Sequence, residues 1–162
     1  MGYWDQPGAS NEWYTPPEVF AALGERFDMD VAHPEGPTHV PADQVLVRNG
    51  LTAPWRGFIW MNPPFGGRGE IEPWLDRFFE HANGIALTPD RTSAPWFQRA
   101  WPKADAVLFT RKIRFIRPDG SAGKSPSNGT ALIAVGHRGE LALRRAAERG
   151  FGILGSPERI AA

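Results

Sequence analysis

The chain has 162 residues, an apolar content of 41% and 18 basic against 18 acidic side chains, enough for one domain with a real core and too apolar for a disordered segment. It holds no cysteine, which excludes a disulfide framework and thiolate metal sites, and its four histidines show no zinc-ligand spacing. No apolar run approaches the roughly 20 residues that span a bilayer, so a cytoplasmic protein without a metal is expected. The zero net charge is unevenly distributed. Residues 1–90 carry 5 basic and 13 acidic groups, residues 91–124 carry 8 and 2, and residues 125–162 carry 5 and 3. An acidic half beside a basic segment suggests two ligands of different charge, the basic part being suited to phosphate.

Residues 1–12, rich in Gly, Ser and polar groups, read as an irregular arm, followed by one domain over 13–162. In "TPPEVFAALGERF" Thr15 is placed to cap a helix, with Pro16 in its first turn, Glu18 completing a capping box, and Val19, Phe20, Leu23 and Phe27 forming an apolar stripe. "FDMDVAH", residues 27–33, alternates polar and apolar and predicts a strand with Asp30 near its carboxyl end. Pro34 to Pro54 is loop-rich, with at most a short strand at "QVLV". Phe58 to Met61 is a short apolar run, hence a buried strand. "IEPWLDRFFEHA" places Ile71, Trp74, Leu75, Phe78, Phe79 and Ala82 on one helical face. "GIALTP" predicts a buried strand, "SAPWFQRAW" a short capped helix and "DAVLF" another strand. "KIRFI" and "TALIAV" look strand-like across a polar, turn-rich segment and predict a long C-terminal hairpin. A helix over "GELALRRAAER" stops at Gly150, and "FGIL" offers an edge strand. The order is α/β, in a compact single domain with a mixed sheet.

The buried run at 58–61 enters Asn62-Pro63-Pro64-Phe65. Proline fixes its own φ, lacks an N–H and forces the residue before it out of the α region, so this is a stiff, extended turn. Open α/β sheets carry their ligand sites at the carboxyl ends of strands, where such stiffness can serve chemistry.

"WYTPPEVF" at 13–20, "FDMDVA" at 27–32, "WMNPPF" at 60–65, "LTPDRTSAPWF" at 87–97, and "RKIRF" with "SNGTALIAV" follow one another in order. With them the sequence resembles the phage-type, Dam-like family of DNA N6-adenine methyltransferases, over most of its length. The resemblance implies a Rossmann-like fold, S-adenosylmethionine as cofactor, DNA as partner, a monomer or homodimer, and the cytoplasm of a bacterium or phage-infected host. It makes residues 13–162 the catalytic domain. Asn62, Pro63, Pro64 and Phe65 match the family's catalytic turn. The exocyclic nitrogen of adenine is a poor nucleophile because its lone pair is conjugated with the ring. If the Asn62 side-chain oxygen accepts one of its N–H groups and the Pro63 carbonyl the other, the lone pair is localised and can face the sulfonium methyl. Phe65 would stack on a base rotated out of the duplex.

The resemblance further implies cofactor contacts at Thr15 and Pro16, at Asp30 and Ala32, at Asn62, and at Asn49 and Leu51, where relatives often carry Asp-Gly-Leu. The family's usual Gly-rich cofactor loop is not evident, since "DVAHPEGPTHV" holds one glycine. No separate recognition domain fits, so DNA contacts are expected within residues 111–129 and their surroundings, from Arg91, Arg111, Lys112, Arg114, Arg117 and Lys124. Two alternatives stand beside this expectation. Asn-Pro-Pro-aromatic turns also serve methyltransferases acting on RNA bases or on protein glutamine. Seven tryptophans and a basic segment would also suit a non-catalytic module that stacks single-stranded bases.

Overall fold

The computed structural model describes residues 14–36, 38–65, 67–123 and 129–159; the arm at 1–12 and Lys124 lie outside them. Seven strands form one mixed sheet: β1 Phe27–Asp30, β2 Ala42–Val45, β3 Ile59–Met61, β4 Gly84–Pro89, β5 Ala106–Thr110, β6 Thr130–Val135 and β7 Gly152–Gly155. Their spatial order is β2-β1-β3-β4-β6-β5-β7. The first four are parallel, with Asp30 opposite Trp60 and Trp60 opposite Ile85. β6 then runs antiparallel to both of its neighbours, so β5 points the same way as β4, and β7 closes the far edge antiparallel to β5.

Four helices cover the sheet: α1 Pro17–Leu23, α2 Glu72–His81, α3 Pro95–Ala100 and α4 His137–Glu148. In β3 to β6 the period-2 alternation sends successive side chains to opposite faces, whereas in β1 Phe27 and Met29, two residues apart, fall in different layers. Phe27, Trp60, Leu87, Leu108 and Leu132 pack with Val19, Phe20 and Leu23 of α1 and with Ala142, Leu143 and Ala146 of α4. Met29, Ile59, Met61, Ala86, Val107 and Ile133 pack with Leu75 and Phe78 of α2 and Phe97 and Ala100 of α3. The result is a helix–sheet–helix sandwich with one apolar layer on each face.

The structure places Phe27 in β1 rather than on the α1 stripe and the short strand at Ala42–Val45 rather than at "QVLV". The cap expected on α3 is missing, since its N-cap is Ala94, which carries no capping side chain. The structure departs further from the sequence expectation at three places. First, α1 begins at Pro17, with Pro16 extended at its N-cap (φ −70°, ψ 154°), and no side chain caps it. Each proline keeps its predecessor out of the α region, so neither Thr15 nor Pro16 can enter the helix, and the expected Thr15 capping box does not form. Second, Lys112–Ile116 is not a strand of the sheet; the hairpin is made by β5 and β6, with residues 111–129 as its long connection. Both edges of β6, the "TALIAV" strand, are taken by β4 and β5, which leaves "KIRFI" no edge of it to pair with. Its alternation instead buries Ile113 and Phe115 against the α1–α4 layer. Third, Ala82 does not share the apolar face of α2. It is the exposed, left-handed C-cap (φ 60°), its N–H donating to the Phe78 carbonyl.

Candidate active site

Because β2, β1, β3 and β4 are parallel and β5 points with them, the carboxyl ends of five strands meet at one edge of the sheet. From β1 the chain moves outward to β2, then returns to place β3 on the other side of β1 and continues to β4. The strand order therefore reverses between β1 and β3. This is the crevice in which doubly wound sheets hold ligands. Asp30 ends β1 at this crevice and Asn62 immediately follows β3.

Asp30 is buried, 1% exposed. Its Oδ1 accepts the Ala32 N–H at 3.2 Å and its Oδ2 pairs with His33 Nδ1 at 2.6 Å. The side chain thus shapes the first turn after β1, at the rim of the crevice, with both of its oxygens engaged. Ala32 is half-buried within that turn. Across the crevice, Asn62 is half-buried, Pro63 buried, Pro64 exposed and Phe65 half-buried, packed against the apolar layer below β3. The Asn62 Nδ2 donates to Thr15 Oγ1 at 3.4 Å. This contact brings the segment before α1, where Thr15 and Pro16 are both buried, to the same crevice as the Asn62-Pro63-Pro64 turn.

Asn49 and Leu51 stand on a tight turn. Asn49 is exposed and left-handed (φ 58°), and the N–H groups of Thr52 and Ala53 donate to its carbonyl. Gly50 between them is buried, and a Cβ there would overlap the Val31 carbonyl oxygen and the Trp74 ring. Only glycine allows this loop to approach the end of β1 so closely. The Gly50 carbonyl accepts from Trp55 Nε1 at 2.7 Å and from Arg77 Nη1 at 2.8 Å, with the Arg77 guanidinium lying over the Trp55 ring. Leu51 is left 39% exposed, an apolar side chain facing outward from a fixed turn beside β1.

The basic segment leaves the same edge of the sheet, since it follows β5. Arg111, Lys112 and Arg114 are exposed, the Arg111 guanidinium lying 5.2 Å from the Phe151 ring centre. Arg117 is half-buried, and its Nη1 donates to the Ala122 carbonyl at 3.0 Å, closing the turn at 117–122. Asp119 in that turn is held below its ordinary carboxyl range by hydrogen bonds from the Ser121 hydroxyl and backbone N–H. Arg91 is exposed just past β4, beside Asp90, whose side chain fills the space a Cβ on Gly129 would need.

Two residues not singled out in the sequence help to build the site. His33 pairs with Asp30 across a turn, a contact that no period in the sequence signals. Tyr14 exchanges backbone bonds with Ile116, N–H to carbonyl in both directions at 2.8 Å, and its hydroxyl donates to the Glu35 carbonyl at 2.9 Å. It ties the basic segment and the loop after β1 to the residue before Thr15. Among the described residues no group of three or more His, Asp or Glu side chains is placed to hold a metal ion, and no helix is long and apolar enough to cross a membrane.

The mixed seven-stranded sheet, the helices on both faces and the prolyl turn at its reversal point define the class: an α/β fold of the Rossmann-like methyltransferase kind. Within that class, the family model for DNA N-6-adenine-methyltransferase (Dam) matches residues 7–142, and the chain belongs to that family. Comparisons with curated proteins and with solved structures gave no match.

Proposed function

We propose that the protein transfers a methyl group from S-adenosylmethionine to the exocyclic amino group of adenine in DNA, with the base rotated out of the duplex. Family membership gives DNA adenine methylation. The observation that carries the finer reading is the Asn62 amide at the sheet's reversal point, its Nδ2 engaged by Thr15 and its Oδ1 left as an acceptor. An exocyclic amino group is a hydrogen-bond donor, and an acceptor fixed in advance is what it needs. Asn62 Oδ1 takes one N–H and the Pro63 carbonyl the other, which draws the nitrogen toward tetrahedral geometry and frees its lone pair. The two prolines hold both acceptors before the reaction begins, so positioning replaces a strong general base.

The residues at the crevice fit the cofactor. An acidic side chain at the end of β1 suits a ligand carrying ammonium and sulfonium charges, and the Asn49–Leu51 turn offers an exposed apolar residue for its adenine. When bound, S-adenosylmethionine supplies an electrophilic methyl group on sulfur. Asp30, Ala32, Asn49 and Leu51 would hold it, and Thr15, Pro16 and Asn62 would line its methyl end by their backbone, leaving the Thr15 hydroxyl and the Asn62 amide to the substrate. Phe65, half-buried at the end of the turn, presents a ring on which the extruded base stacks, offsetting part of the few kcal/mol that flipping costs. Arg91, Arg111, Lys112 and Arg114, exposed at the same edge of the sheet, would neutralise phosphates flanking it.

The five tryptophans among the described residues favour an enzyme over a stacking module. Trp60 is fully buried, and Trp55, Trp74, Trp96 and Trp101 are half-buried against the core, which leaves none of these rings fully exposed. The test is incubation with methyl-labelled S-adenosylmethionine and, in parallel, mixed duplex DNA, RNA or protein, with the nucleic acids then digested to nucleosides. Label in N6-methyl-2′-deoxyadenosine is expected, and Asn62→Ala should abolish it while still binding the cofactor. Label only in RNA or protein would transfer the reading to those acceptors. Near-normal turnover by Asn62→Ala would remove Asn62 from the mechanism.

A further inference from the structure

The sequence contains two tripeptides of the same form, Thr15-Pro16-Pro17 before α1 and Asn62-Pro63-Pro64 after β3. In the fold they face each other, and the side chains of their first residues meet, Asn62 Nδ2 to Thr15 Oγ1 at 3.4 Å across 47 positions of sequence. Thr15 is 2% exposed, and its hydroxyl makes no cap for α1. A buried hydroxyl withheld from the nearest helix end is here directed to the amide of the catalytic turn.

An asparagine amide has an acceptor end and a donor end of nearly equal size, and only one of them suits a substrate that donates. With its nitrogen turned to the substrate the group would face donor against donor. We propose that Thr15 is a positioning residue for methyl transfer: its hydroxyl accepts from Asn62 Nδ2 and so keeps Oδ1 directed at the amino group to be methylated. The inference rests on the role given to Asn62 above.

The backbone around Thr15 is built to hold that hydroxyl still. On one side Tyr14 is fastened by its paired backbone bonds to Ile116 and by its hydroxyl to the Glu35 carbonyl. On the other, Pro16 confines Thr15 to extended geometry, and Pro17 does the same to Pro16. The support of Asn62 is therefore itself rigid, as a site that must be set to within about 0.5 Å requires.

Thr15→Val keeps the shape of the side chain and removes the hydroxyl. Its kcat should fall about tenfold or more, the scale of one hydrogen bond removed at a reacting group, with the dissociation constants for S-adenosylmethionine and DNA within about twofold of the parent, the pattern of a transition-state effect. Thr15→Ser, which restores the hydroxyl without the methyl group, should recover most of the missing turnover. If Thr15→Val does not fold, judged by its thermal transition, Thr15→Ala against Thr15→Ser carries the same comparison. Unchanged kcat in the hydroxyl-free variant, or a loss confined to cofactor affinity, overturns the inference. Loss of kcat that serine does not repair also overturns it, because packing would then explain the effect. If Asn62→Ala remains active, the reading of Asn62 fails first. If Asn62→Ala is dead and Thr15→Val is not, only the role of Thr15 fails.

Discussion

At the scale of single residues, the crevice depends on side chains held by neighbours that the sequence does not place beside them. Asp30 is the clearest case. A strand ending in an acidic residue was legible from the alternation in "FDMDVAH", but the pairing with His33 and the Ala32 N–H arises only when the chain turns after β1. Asp30→Ala should weaken S-adenosylmethionine binding by about tenfold or more if the carboxylate meets the ligand's ammonium group, with DNA affinity little changed. Titration calorimetry with each ligand separately, on protein shown to be folded, checks this; equal losses for both ligands would count against the pocket. The prolyl turn after β3 was legible for a different reason. Two prolines after a buried run have few conformations open to them, so Asn62-Pro63-Pro64 announces its own geometry. The same logic applied to Thr15-Pro16-Pro17 forbids the capping box read there, and the helix starts where the second proline permits.

Elements with one strong periodic signal were legible, and those defined by their neighbours were not. The stripe in α2 and the unbroken apolar runs of β4 and β6 demand burial and receive it. Lys112–Ile116 carries the alternation of a strand and is none, because alternation reports which side chains are buried and not whether a sheet edge is open to the backbone. That excursion leaves Lys112 and Arg114 exposed at the edge where DNA is proposed to lie. Replacing both with alanine should weaken binding to all duplex sequences alike and reduce the log–log salt slope by about 0.9 for each phosphate that is no longer neutralised. Cofactor affinity should not move. Binding isotherms at several salt concentrations provide the measurement; an unchanged slope would make the segment a solvated surface only.

For the whole molecule, the decisive feature is the place of β6. It is the sixth strand in the chain, yet it lies between β4 and β5, and every one of its six residues is buried. A nascent chain emerging from the ribosome has therefore made the Asn62-Pro63-Pro64 turn, and all of β1 to β5, before the strand that joins the two halves of the sheet exists. Until then β4 has an open edge and β5 has no strand between itself and the rest of the sheet, which is the kind of exposed pairing surface that invites association between chains. A fragment ending near residue 125 retains Thr15, Asp30 and Asn62 but should neither fold cooperatively nor bind cofactor. A circular-dichroism melt without a transition, together with concentration-dependent aggregation in light scattering, would be the expected record. A soluble fragment with a sharp melt would mean that the parallel half folds alone. If the fragment behaves as expected, residues made after its end, none of which touches the proposed chemistry, govern when Thr15, Asp30 and Asn62 become a working site.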